Sequence, residues 1–183
     1  MQVVNALPSA VDDHALKTDS KPSALTGLRH TLGLGRPGLG WLRWLRDPHF
    51  VLAVLAAVPV WVTLGEMVGE RMRVNLALPA LISLAVVQPV LEELVFRGAL
   101  QGRLLERGWA RRIGPISWAN LGTTVAFVAL HFMAQPLAWA IAVAAPSLMF
   151  GHVRERFGSV LPAIALHSLY NAGFAATAWW VHR

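Results

Sequence analysis

The chain has 183 residues, 55% of them hydrophobic and only 14% charged, with a formal net charge of +6. Soluble domains carry about a quarter charged residues, so this composition excludes an ordinary soluble protein, and so much apolar side chain excludes a disordered one. There is no cysteine, which removes disulfides, iron–sulfur clusters, thiolate zinc sites and a cysteine nucleophile, and the cations sit between apolar runs rather than on one polar face, which argues against nucleic acid.

Residues 1–46 form a separate zone containing Asp12, Asp13, Lys17, Asp19 and Lys21, followed by Gly33, Gly35, Gly38 and Gly40. No apolar run follows a basic start, so the zone is not expected to be a cleaved secretory signal. It is predicted to be a mobile cytoplasmic tail whose last residues, Trp41 to Arg46, lie at the headgroup layer. Residues 47–183 are expected to be the transmembrane domain. No Asp, Glu, Lys or Arg occurs in 48–65, 74–91, 113–153 or 157–182. A crossing helix needs about 20 apolar residues. Three of these stretches hold one helix each and the third holds two, with a break predicted around Ala134, Gln135 and Pro136. The expected fold is therefore all-α, a polytopic membrane bundle of about five transmembrane helices. Pro59, Pro79 and Pro89 are expected to kink their spans. Arg103, Arg107, Arg111, Arg112, Arg154 and Arg156 fall on the same side as the basic N-terminal zone, which predicts a cytoplasmic N-terminus.

Ionisable groups at membrane depth cost about 2.5–3.5 kcal/mol each by insertion scales, so each needs a reason. Glu92 and Glu93 continue the second span into Arg97. Glu93 and Arg97 are i and i+4 with the acid first, the favourable order for an ion pair, while Glu92 lies about 100° round the helix. One glutamate is thus expected to be neutralised and the other left for chemistry. Phe127 and His131 share a face of the third helix, as His167 and Asn171 share a face of the last. Buried imidazoles and amides need polar partners, and taken one at a time each reads as interhelical hydrogen bonding. Together they offer an acid, two imidazoles and an amide for one wet pocket. Glu155, between Arg154 and Arg156, reads as loop charge. His49 and His152 read as interfacial, Gly151 and Gly158 as the means of a tight return between the last two helices, and the eight Trp as interface anchors.

Glu92-Glu93 to Arg97, then Phe127 to His131, then His167 to Asn171 resembles the order EExxxR, FxxxH, HxxxN of the CPBP family, the CAAX prenyl protease and bacteriocin-processing intramembrane peptidases. Phe150-Gly151 and Gly158-Ser159-Val160 resemble the family's approach to its third motif, and the resemblance covers roughly residues 84–175. It implies peptide-bond hydrolysis in the membrane, with Glu92 and His131 activating water, His167 and Asn171 stabilising the oxyanion, and Glu93, Arg97 and Phe127 shaping the site. It implies no metal. The zinc alternative would take Glu92, His131 and His167 as ligands with water in the fourth position. The expected partners are the bilayer and a membrane-associated peptide or protein substrate, with a second copy or a partner membrane protein completing the groove. The composition looks bacterial, which places the chain in an inner membrane. For His131 to reach the depth of Glu92, its helix must start near Asn120, leaving 98–117 partly interfacial.

Two other classes compete. The polar cluster is purely structural in a non-proteolytic membrane adaptor or immunity protein, and a proton relay in a carrier. Against a carrier stand the few helices and the lack of an inverted repeat.

Overall fold

The computed structural model describes residues 24–34, 43–68 and 74–183. The rest of the expected tail, including Trp41 and the glycines after Leu34, and Glu70, Arg71 and Arg73 of the first connection, lie outside the described residues. Among the described residues there are six helices: α1 (Ala24–Thr31), α2 (Pro48–Val68), α3 (Leu78–Glu106), α4 (Trp118–Phe132), α5 (Leu137–Phe157) and α6 (Leu161–Val181). A 3₁₀ turn, Arg43–Arg46, precedes α2. A hairpin of two-residue strands, β1 (Arg112–Ile113) and β2 (Ile116–Ser117), joins α3 to α4.

The long apolar stretches became rods, as expected. Three of them, Pro48–Met67, Leu78–Glu106 and Leu137–Phe157, are long and apolar enough to cross a membrane. α4 is shorter, with 15 residues, about 22 Å against about 30 Å of hydrocarbon. α6 has the length, 21 residues, but its polar side chains lower its hydropathy. The break after His131 falls where it was expected, with α4 ending at Phe132 and α5 starting at Leu137. α4 begins at Trp118 because residues 112–117 turn back on themselves through Gly114, whose φ is +59°. Ser117 then caps α4, its Oγ accepting the Asn120 N–H at 2.9 Å.

Three expectations are corrected. Pro79 kinks nothing: it sits in the first turn of α3, where a missing N–H is harmless. Arg154 to Arg156 are not a loop but the last turns of α5, which ends at Gly158 with φ +60°. Gly151 makes no turn, since it lies inside α5, where an added Cβ would come 2.0 Å from Asn120 Oδ1. Its absence of a side chain lets α4 and α5 meet.

α3 is not a uniform helix. Ser83–Val87 and Leu94–Leu100 are wide, π-helical turns, with ordinary α-helix at Gln88–Glu93 between them. The exposed apolar stripe Leu78, Ile82, Val86, Leu91, Val95 accordingly steps by four residues, except for one step of five. α6 is the central rod, packed on α2, α5 and the first half of α3. Phe50 and Ala53 of α2, Phe150 and Val153 of α5 and Ala163 and Leu166 of α6 form the apolar core. Trp61, expected as an interface anchor, instead packs on Gly173 and donates Nε1–H to the Tyr170 carbonyl at 3.3 Å.

At the arginine-rich end α2 and α5 are joined twice. Arg156 binds both Asp47 oxygens at 2.7–3.0 Å, holding the Asp47 carboxyl below the usual carboxylate range. His49 Nδ1 lies 3.0 Å from His152 Nε2, so these two imidazoles pair with each other. Within the expected tail, α1 and the residues after it dock on the end of α3. Gly33, at φ +65°, closes α1 as Leu34 N–H returns to the Arg29 carbonyl. A Cβ on Gly102 would meet the Thr31 carbonyl oxygen at 2.2 Å.

Candidate active site

Glu93, Arg97 and Gln101 follow one another at i, i+4 and i+8 on α3 and are wholly buried. A charge pair out of water is costly unless its remaining donors and acceptors are met, and here most are, although Glu93 Oε2, Arg97 Nε and Gln101 Oε1 have no hydrogen-bond partner among the described residues. Arg97 Nη1 donates to Glu93 Oε1 at 3.0 Å, and Nη2 donates to the Ser147 hydroxyl at 2.7 Å and its carbonyl at 3.1 Å. The guanidinium carbon lies 4.6 Å from the centroid of Phe127 and 5.3 Å from that of Phe150. Gln101 continues the row, donating to the Gly151 carbonyl at 3.1 Å and to Glu155 at 2.7 Å.

His167, from α6, meets this row at its upper end. Its Nδ1 is 2.8 Å from Glu93 Oε1, and its ring stacks on Phe150 at 4.7 Å and 18°. With Glu93 Oε1 also receiving Arg97 Nη1, this oxygen acts as the acceptor and Nδ1 as the donor, which leaves Nε2 turned elsewhere. That nitrogen lies 3.9 Å from Glu92 Oε2. Glu92 itself keeps 29% of its side chain exposed, whereas Glu93 keeps none. Glu93 is therefore the glutamate that pairs with Arg97, as their i, i+4 spacing indicated.

His131 and Asn171 stand at the edges. His131 Nδ1 is 2.9 Å from the Phe127 carbonyl, an acceptor, so Nδ1 donates and Nε2 is the basic nitrogen of the neutral ring. Phe127 contacts both imidazoles, its ring centroid 4.4 Å from that of His131 and 6.2 Å from that of His167. Asn171 Nδ2 donates to the Leu84 carbonyl at 2.9 Å. The reason lies in α3. In its first wide turn Gln88 N–H reaches back five residues to the Ser83 carbonyl. The next bond in that register would come from residue 89, a proline without an N–H. Asn171 answers the carbonyl that Pro89 leaves over.

Sequence reasoning stopped at Arg97 and missed the shell behind it. Gln101 was legible as the next i+4 step. Ser147, Thr124 and Asn120 were not, because their roles depend on how α4 meets α5. Ser147 Oγ donates to Thr124 at 2.9 Å, and Asn120 Nδ2 donates to the Leu148 carbonyl at 2.9 Å. Glu155, expected as loop charge, instead receives Gln101, Arg112 Nη2 at 2.7 Å and the Ser117 hydroxyl in a short bond. Arg154, read as part of a loop, is buried.

The zinc alternative requires Glu92, His131 and His167 to converge. Among the described residues no three His, Asp or Glu side chains are grouped so as to hold a metal ion.

Residues 74–173 match a family model described as type II CAAX prenyl endopeptidase Rce1-like. The match begins at the approach to α3, ends two residues beyond Asn171, and so includes Glu92, Glu93, Arg97, Phe127, His131, His167 and Asn171. No curated protein and no solved structure matches the chain.

Proposed function

The chain belongs to the type II CAAX prenyl endopeptidase Rce1-like family and is an integral membrane protease, and from that premise we propose that it hydrolyses a peptide bond of a membrane-associated protein or peptide with water activated by Glu92. The observation that carries this reading is the inequality of two adjacent carboxylates. Glu93 is engaged by Arg97 and His167, while Glu92, one residue away, keeps 29% of its side chain exposed, has His167 Nε2 at 3.9 Å and feels the Arg97 charge only through space. A general base must be within reach of a water and not already committed.

In the proposed cycle Glu92, assisted by the basic Nε2 of His131, takes a proton as the water oxygen bonds to the scissile carbonyl carbon. The carbonyl oxygen becomes the oxyanion. His167 donates to it from Nε2, which requires the imidazole to carry both protons, with the Glu93 carboxylate at Nδ1 balancing that charge. Asn171 donates the amide hydrogen that the Leu84 carbonyl does not use. Such donors are worth about 10²–10³ in rate each when preorganised. The C–N bond then breaks as the proton held by Glu92 passes to the leaving nitrogen. Glu93, Arg97 and Phe127 hold His167 in place. No step is routed through a metal. The preferred setting is a bacterial inner membrane with the arginine-rich end in the cytoplasm.

The test compares protein termini in host membranes expressing the wild-type chain or Glu92→Gln at equal levels, with and without a strong chelator. New termini that vanish in the variant and survive the chelator support the glutamate mechanism and identify the substrate. Termini that the chelator also abolishes favour zinc. Identical termini in both membranes favour the adaptor reading.

A further inference from the structure

Arg154 is 6% exposed, and among the described residues it makes no ion pair. The neighbouring Glu155 carboxylate acts on it only through space, and a buried cation whose task was only to fill space would be better replaced by an apolar side chain. What Arg154 does hold is backbone. Its Nε donates to the Arg97 carbonyl at 3.2 Å and its Nη2 to the Thr31 carbonyl at 3.0 Å. The guanidinium also lies flat against Gly33, where a Cβ would come 2.8 Å from its central carbon. The Arg97 carbonyl belongs to the second wide turn of α3, just before the helix returns to ordinary register at Gln101. A change of register passes over a carbonyl, and a fork of donors from another helix is one way to fix where that happens.

We propose that Arg154 is a positioning residue of the site: by holding the Arg97 carbonyl it fixes the rotation of α3 that aims Arg97 at Glu93 and Glu93 at His167, and it is itself held by the docked segment 24–34, so that lifting this segment loosens the site. The proposal rests on the peptidase reading for its effect on rate, but not for its effect on the geometry of His167. The route is short and continuous, from Thr31 through Arg154 to the Arg97 backbone, then 3.0 Å from Arg97 to Glu93 and 2.8 Å from Glu93 to His167. Further support for a seated segment comes from Gly98 and Gly102. A Cβ at Gly98 would come 3.2 Å from Leu32 Cδ2, and at Gly102 the Thr31 carbonyl already occupies the space. Val160 N–H, just before α6, also donates to the Gly33 carbonyl at 3.3 Å.

Three variants of the full chain test this. Arg154→Lys keeps the charge but offers a point donor where two carbonyls need a fork. Gly102→Ala favours helix in α3 yet displaces Thr31. Gly27→Ala, in α1 with open space around it, is the control. Two readouts are taken at matched expression: the rate at which Glu92-dependent termini appear in host membranes, and the Nδ1 proton resonance of His167 in ¹⁵N-histidine-labelled protein in micelles. Arg154→Lys and Gly102→Ala are expected to slow the reaction by at least about tenfold, as misplacement of a catalytic group does, and to shift or broaden the His167 signal. Gly27→Ala is expected to change neither. An unaltered rate and an unaltered His167 signal in both test variants would overturn the proposal. If Arg154→Lys does not fold, Gly102→Ala decides alone. If Glu92→Gln leaves the termini unchanged, the peptidase reading fails, and the His167 resonance by itself supports or overturns the positioning role.

Discussion

The two wide turns of α3 flank Glu92 and Glu93, and they are held very differently. Ser83–Val87 buries none of its residues and is answered from outside at one carbonyl, by Asn171. Leu94–Leu100 buries Phe96, Arg97 and Gly98, and it is gripped by Ser147 and Arg154 and covered by the segment around Thr31. One side of the glutamate pair is buried and bonded from several elements, and the other is partly exposed. Glu93 faces the buried side. Glu92 keeps its freedom because its side of the helix is not filled, and under the proposed mechanism a peptide approaches from there.

Substitutions should separate the two sides. The largest effect is expected for Glu92→Gln, which keeps shape and removes the base. The rate of terminus formation should fall by about 10²–10⁴, while unfolding in detergent stays within about 0.5 kcal/mol of wild type. A loss of less than tenfold would remove Glu92 from the chemistry. Glu93→Gln acts in the opposite way. It leaves Arg97 as an uncompensated buried charge, and the unfolding free energy should drop by about 3–5 kcal/mol. Equal stability would mean that the clamp is not structural.

Asn171→Ala mixes both effects, because it leaves the Leu84 carbonyl without its partner and removes the proposed oxyanion donor. Pro89→Ala can separate them, since an alanine supplies the N–H that the proline withholds. In the Pro89→Ala background we expect Asn171→Ala to regain stability but to remain about 10²–10³ slower. Full recovery of rate would make Asn171 a prop for the wide turn and nothing more. The smallest effect is expected for Asp47→Asn at the outer edge. Asp47 has a depressed folded pKa, so its pairing with Arg156 stabilises the fold above the unfolded value and is lost only as pH falls through the folded one. The difference between variant and wild type should stay constant from about pH 5 to 9 and shrink only below about pH 4. A difference that varied across neutral pH would mean that the pairing of Asp47 with Arg156 is not what the substitution removes.

Much of the site could be read from spacing alone. The i, i+4 relation of Glu93 and Arg97 and the 100° offset of Glu92 are consequences of a helix period, and they survive in three dimensions. The rods, and the break between α4 and α5, follow from charge-free length and from Pro136. Arg154 and Glu155 were misread because a cation and an anion near the end of an apolar run look alike whether they face water or turn back into the bundle. What decides is the partner, and Thr31 lies more than a hundred residues away from Arg154 in the chain. The wide turns were not legible either. A neighbouring helix was expected to meet the carbonyl that Pro89 leaves over, but spacing could not say that the partner is Asn171, which the motif reading had assigned wholly to chemistry. Gly151 was likewise credited with a bend when its service is to the Asn120 side chain across the helix interface.

The wide turns also govern how the chain tolerates changes in length. Each is, in effect, one residue more than an ordinary helix needs. Deleting a residue inside Ser83–Val87 or Leu94–Leu100 therefore lets that stretch relax to regular helix, with its flanks still roughly aligned. Deleting one inside Gln88–Glu93, where no such slack exists, turns the two parts of α3 by about 100° against each other. Glu92 would then be carried away from either His167 or its lipid-facing neighbours. Viable insertions and deletions in α3 should accordingly fall at the two ends of the glutamate segment and spare its middle.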